Sequence, residues 1–110
     1  MNGPAERHVL LHATQGPEDI ARAVAALATL GESLPDARIS VIVNGKALAG
    51  VRKDAEPIDP ASRAQVFACE LGMSRNGITA DDLQEGLGTV PSAVVALASG
   101  QLDGAAYIRI

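Results

Sequence analysis

A single cysteine, Cys69, carries the most distinctive chemistry in this chain. It closes the run Ala64-Gln65-Val66-Phe67-Ala68-Cys69, which reads as a strand. A short helix beginning near Glu70 follows and is closed by Gly77. A helix N-terminus directs N–H groups at such a sulfur and favours the thiolate, the form that attacks sulfur donors. The adjacent Glu70 opposes this with its own negative charge. Most free cysteines are small buried hydrophobes, so a structural role stands beside the reactive one.

His8 and His12 are the only histidines. On a strand they share a face, but four residues at ~3.3 Å each separate them too widely to share one metal ion. No metal site is expected. His12, at the end of its strand, is either a proton donor or a polar cap to the sheet. Asn44-Gly45 ends the second strand, either in a tight hairpin or in a loop where glycine lets the backbone approach a ligand. The following Lys46-Ala47-Leu48-Ala49 has little β preference, which favours the loop. The Asp81-Asp82 pair has no surrounding ligand set and reads as a turn cap. Glycine spacings for nucleotide binding are missing, and neither Ser92 nor Ser99 sits in a nucleophile elbow. No cofactor is implied.

Charge and composition narrow the partners. Nine Lys and Arg against thirteen Asp and Glu give a net charge of −4, and the basic residues are scattered. Nucleic-acid binding, which needs a positive surface to displace counterions, is not expected. No apolar run is longer than that of Ala93 to Ala98, which is far short of the ~20 residues of a membrane helix. Nor does the start of the chain carry a basic region followed by a long apolar stretch. One cysteine excludes an internal disulfide and fits a reducing cytoplasm. Among the 110 residues there are twenty alanines, one Phe, one Tyr and no Trp. A core this light in aromatics gains stability when subunits bury surface against one another, so an oligomer is expected.

These residues need elements to position them. His8 to Ala13 reads as a buried first strand. Pro17 with Glu18 and Asp19 opens a helix whose face carries Ile20, Val24, Leu27 and Leu34, with Ala21 and Ala28 filling beside them. Ala37 to Val43 is β-branched and reads as a second strand. Lys46 to Gly50 suits a short helix, and Asp54 to Pro60, with two prolines, a loop. After the Cys69 strand come a turn capped by Thr79, a weak strand over Leu87 to Val90, and a helix capped by Ser92 and ended by Gly104. Ala105 to Ile110 closes the chain as a strand. Its Tyr107, Ile108 and Ile110 are expected to be largely buried. Such alternation, in one domain over residues 1–110, gives a parallel sheet with helices on both faces. The functional edge then lies at the carboxyl ends of the strands, where His12, Asn44, Cys69 and the Val90-Pro91 junction sit.

The same landmarks, in the same order, carry a resemblance. They are His8-Val9-Leu10-Leu11-His12, Val41-Ile42-Val43-Asn44-Gly45, Phe67-Ala68-Cys69-Glu70, Gly77-Ile78 with Asp82-Leu83, and Val90-Pro91-Ser92-Ala93-Val94 through Gly104-Ala105-Ala106-Tyr107-Ile108. Over almost the whole chain the sequence resembles the DsrE/DsrF-like family, small proteins related to subunits of bacterial sulfur-relay complexes. The resemblance implies a three-layer α/β/α sandwich with a five-stranded parallel sheet, and a homo-oligomer, a trimer or hexamer. It makes Cys69 the counterpart of a cysteine that carries sulfur as a persulfide between a donor and an acceptor protein. His12, Asn44, Gly45 and Glu70 would line the neighbouring edge. The rival expectation is a non-catalytic oligomer that binds a small molecule or a protein, with Cys69 merely buried.

Overall fold

The centre of the sheet is built from two apolar strands that pair in parallel along their full length. β1 (His8–Ala13) lies beside β2 (Arg38–Val43), with His8 opposite Arg38 and Ala13 opposite Val43. In the computed structural model, which describes residues 7–110, three further strands join them. Residues 1–6, over which no leader pattern is read, lie outside the described residues. β3 (Val66–Cys69) pairs with β2, β4 (Gly88–Val90) with β3, and β5 (Ala106–Arg109) with β1, all in parallel. The order across the sheet is β4-β3-β2-β1-β5.

Both faces of β1 and β2 are apolar because both are covered, as a parallel sheet requires. One face carries Val9, Leu11, Ala13, Val41 and Val43, packed under the helix α1 (Glu18–Ser33) and the 3-10 segment Gly45–Val51. Met73 of the short helix α2 (Glu70–Arg75) joins that core. The other face carries Leu10, Ile42 and Cys69 under Ala93 and Leu97 of α3 (Ala93–Leu102). This is a three-layer α/β/α sandwich. The two outer layers are unequal, since α3 is the main cover of its face.

Sequence features account for the ends of these elements. Ser92 Oγ accepts the Val95 N–H and so caps α3. Gly100 lets α3 sit low on the sheet, because a Cβ there would stand 2.6 Å from Leu10 Cδ1. Thr79 opens a 3-10 turn (Ala80–Asp82) in which the Asp82 carboxylate accepts both the Thr79 N–H and its hydroxyl. Gln84, almost fully buried, accepts the Ile58 N–H and donates to the Arg52 and Glu56 carbonyls. One amide thus ties down the 52–58 loop through three of its backbone groups.

Three expectations need correction. β3 begins at Val66 instead of Ala64, because Pro60–Gln65 coils into a 3-10 segment whose Ala61 N–H is taken by Asp59. On α1 the buried residues are Ile20, Ala23 and Leu27; Ala21 and Ala28 are exposed. Ala23 falls three and four residues from its buried neighbours, whereas Ala21 and Ala28 sit one step round the helix. Tyr107 and Ile108, expected in the core, remain 39% and 43% exposed, and Ile110 is only half-buried. β5 is an edge strand with a single neighbour, so pairing to β1 orders it without covering its side chains.

The start of α1 holds a buried charge. Asp19 is nearly inaccessible; its carboxylate accepts the Gln15 N–H at 2.9 Å and an Arg22 guanidinium N–H at 2.6 Å. The Gln15 N–H holds the carboxyl below its ordinary 3.8, Arg22 adds to this, and burial pushes the other way. A group depressed in the fold contributes stability above its unfolded value and loses it as pH falls through the folded value. Asp19→Ala is therefore expected to lose about 1–3 kcal/mol at neutral pH, the cost of freeing a buried donor that faced a charged acceptor. Urea unfolding of both proteins should show the part of that gap due to the charge closing below pH 3.8. A gap independent of pH would contradict the assignment.

Candidate functional site

The carboxyl ends of the strands bring four sequence-distant residues into one row. Cys69 ends β3, Asn44 follows β2, and His12 lies near the end of β1. Tyr107 on β5 pairs in register with Leu10 and reaches up to His12. The side chains of His12 and Cys69 point to the α3 side of the sheet, where Leu10 and Ile42 also lie.

Cys69 is the junction of three elements. It ends β3, forms the N-cap of α2, and touches the start of α3. Its Sγ accepts the Gly72 N–H at 3.4 Å and the Ala93 N–H at 3.3 Å. Both are donors left over at helix starts, where the first turn has no internal acceptor. The residue is only 5% exposed. It nevertheless lines a cleft of about 230 Å³ shared with Asn44, Gly45, Leu71, Arg75 and Ser92.

The other candidates fall into place around this cleft, or outside it. Gly45 takes a φ of +57, a left-handed conformation that turns the chain from β2 into the following 3-10 segment. The alternative hairpin does not form. His12 is one position removed from the cleft, joined to it through Asn44: its Nε2 lies 2.8 Å from Asn44 Oδ1. Its Nδ1 lies 2.8 Å from the Tyr107 hydroxyl, and the two rings stand at 53°. Glu70 does not line the cleft. Its carboxylate accepts the Thr89 hydroxyl at 2.7 Å on neighbouring β4. His8 sits lower on the same face as His12, bonded to Ser40 and Arg38, and plays no part in the cleft.

Two residues of the site escaped sequence reasoning. Tyr107 was expected to be core, and no local pattern pairs it with a histidine 95 positions earlier. Arg75 brings a cation to the cleft. Its signal was available, because Leu71 and Arg75 are four apart and share a helical face. A larger groove of about 480 Å³ lies between α1 and the 55–59 loop, floored by Ile20, Val24 and Ile58. It holds none of the residues singled out by chemistry. The Cys69 cleft, though smaller and more open to polar groups, is the better candidate because reactive atoms converge there.

No protein-family model matches this chain, and neither does any curated protein. Solved structures do. A protein of unknown function from Methanobacterium thermoautotrophicum, MTH1491, superposes with a TM-score of 0.81 at 25% identity, covering 96% of this chain and 99% of that one. The ychN protein of E. coli gives 0.75 at 16% identity, covering 94% and 99%. These likenesses extend over nearly the full length of each partner.

The geometry at Gly45 yields a direct test. A Cβ at this position would lie 2.8 Å from the Thr14 carbonyl oxygen at a φ that L-residues rarely adopt. Gly45→Ala is expected to cost about 1–3 kcal/mol, visible as a drop in melting temperature. An unchanged melting temperature would show that the loop can rearrange freely.

Proposed function

We propose that this chain is a DsrE-like sulfur carrier in which Cys69 takes up and passes on sulfane sulfur. The observation that carries the reading is the Cys69 sulfur, set at the sheet's ligand edge and facing two backbone N–H donors from two different helices. The likeness in fold to ychN and MTH1491 and the ordered landmarks of the sequence support it. In the step proposed, the Cys69 thiolate attacks the outer sulfur of a donor persulfide R–S–SH. A new S–S bond forms as the donor's S–S bond breaks, and the donor leaves as the thiolate R–S⁻. The transfer is neutral in electrons and needs no cofactor. An acceptor thiolate reverses it. We place this chemistry in a reducing cytoplasm, where a lone cysteine stays free to carry sulfur.

Assembly belongs to the same reading. On α3, Val94, Val95 and Leu102 are 71%, 65% and 88% exposed, and the ten-residue helix carries no charge. A helix apolar on all sides is normally buried. Its outer face, with Tyr107 on the α3 side of the adjoining edge strand, is the surface we assign to contacts between copies of this chain. A trimer or hexamer is the number that the sequence resemblance implies, and it is the number proposed.

A second reading has its own observation. Cys69 is buried and its sulfur already has two hydrogen-bond partners, as a purely structural cysteine would. The chain would then be a non-catalytic oligomer that binds a small molecule or a protein. Incubation with a small-molecule persulfide, followed by intact-mass measurement, separates the two. A gain of one sulfur that Cys69→Ser abolishes, with the melting temperature nearly unchanged, is expected. A native thiol that takes up no sulfur ends the carrier reading. Light scattering is expected to give a trimer or hexamer that Val95→Glu dissociates; a monomer at micromolar concentration would end the assembly proposal.

A further inference from the structure

We propose that Tyr107, His12 and Asn44 form a hydrogen-bonded array that presents the Asn44 amide N–H to an anionic sulfur group held in the Cys69 cleft. This inference rests on the sulfur-carrier reading and adds to it a donor for the terminal sulfur. A persulfide ends in a sulfur that ionises more readily than a thiol. The two backbone N–H groups address Sγ itself, so the outer sulfur needs a donor further out in the cleft.

The array follows from donor and acceptor bookkeeping. Asn44 Oδ1 can only accept, so the hydrogen between it and His12 belongs to Nε2 of the ring. With Nε2 protonated, a neutral ring has Nδ1 as an acceptor, and the Tyr107 hydroxyl donates to it. The Tyr107 hydroxyl thus complements that tautomer and holds the ring in place, and Nε2–H holds the Asn44 carboxamide by its oxygen. The amide oxygen faces the histidine and the nitrogen is turned away from it. Among the described residues that nitrogen has no hydrogen-bond partner, while Asn44 itself lines the cleft beside Cys69. Three strands contribute, which fixes the chain of bonds to the register of the sheet. Asn44 is the contact to the bound group; His12 and Tyr107 are positioning residues.

Because Cys69 is the only cysteine, alkylation reads one sulfur. Iodoacetamide is neutral and iodoacetate anionic, so the ratio of their rates cancels the reactivity of the sulfur and reports how the cleft receives an anion. Asn44→Ala is expected to lower the iodoacetate-to-iodoacetamide ratio about tenfold, the loss of one charge-assisted hydrogen bond. Asn44→Asp should lower it further. His12→Leu and Tyr107→Phe should lower it too, with the iodoacetamide rate unchanged, whereas His12→Gln keeps a donor toward Asn44 Oδ1 and should restore the ratio. A role confined to stability would move both reagents together. Tyr107→Phe removes one hydroxyl and keeps the ring, so it serves where the larger replacements fail to fold. Nitrogen-15 NMR of the unmodified protein is expected to show neutral His12 protonated at Nε2. A ring protonated at Nδ1, a ratio unchanged by Asn44→Ala and Tyr107→Phe, or a native thiol that resists both reagents would each overturn the inference. Sulfur loading separates the two proposals. Loading retained with an unchanged ratio rejects the array alone, and a ratio that responds without any loading rejects the sulfur carrier.

Discussion

The parallel register between β1 and β2 is the constraint on which the rest depends. With Ala13 opposite Val43, the residue after β2 comes level with the end of β1, and Asn44 can meet His12. The same register sends Val9, Leu11 and Ala13 to one face and Leu10 and His12 to the other. A slip by one residue would exchange the faces and bury the imidazole under α1. Burial of Leu11, Val41 and Val43, each contributing roughly 1.5–3 kcal/mol, is what forbids that slip. The polar row at the sheet edge is thus held in place by apolar residues whose side chains lie on the opposite face of the sheet.

The two faces of the sheet are finished differently. Under α1 the core is deep, and the 3-10 segment after β2, α2 and the 55–59 loop all contribute to closing it. On the other side α3 is low and small-sided, with Gly100 against Leu10, and its own outer surface is apolar. Cys69 belongs to this thinner side. It lies where the cover is a single helix, close to the surface yet shielded. That placement reconciles a residue only 5% exposed with a cleft that opens beside it.

Local patterns made much of this visible in the sequence. The β-branched run Ile39 to Val43, the Ser92 cap and the Thr79–Asp82 turn each carry their cause within a few residues. So did the placement of Cys69 before a helix. What stayed hidden depends on non-local packing. The exposure of Tyr107 and Ile108 follows from the place of β5 at the edge, which an apolar strand sequence does not state. Tyr107 could be assigned to His12 only once β5 was known to lie beside β1. Likewise, Gln84 looks like any surface amide until three backbone groups of a distant loop are found around it. Glu70 was placed beside the sulfur by adjacency along the chain, yet its side chain turns to Thr89 on the next strand.

The sheet order also has a temporal meaning. The strand that completes the row at His12 is β5, which lies beside β1, the element farthest from it along the described residues. On a ribosome, β1 emerges well before residues 106–109 do. Until they emerge, the free flank of β1 is an open edge and the His12 Nδ1 has no tyrosine hydroxyl beside it. A stalled or truncated product would keep the apolar body and the cysteine but lack the array. The polar row therefore requires β5 to have docked, whereas the β1–β2 pair at the centre of the sheet does not.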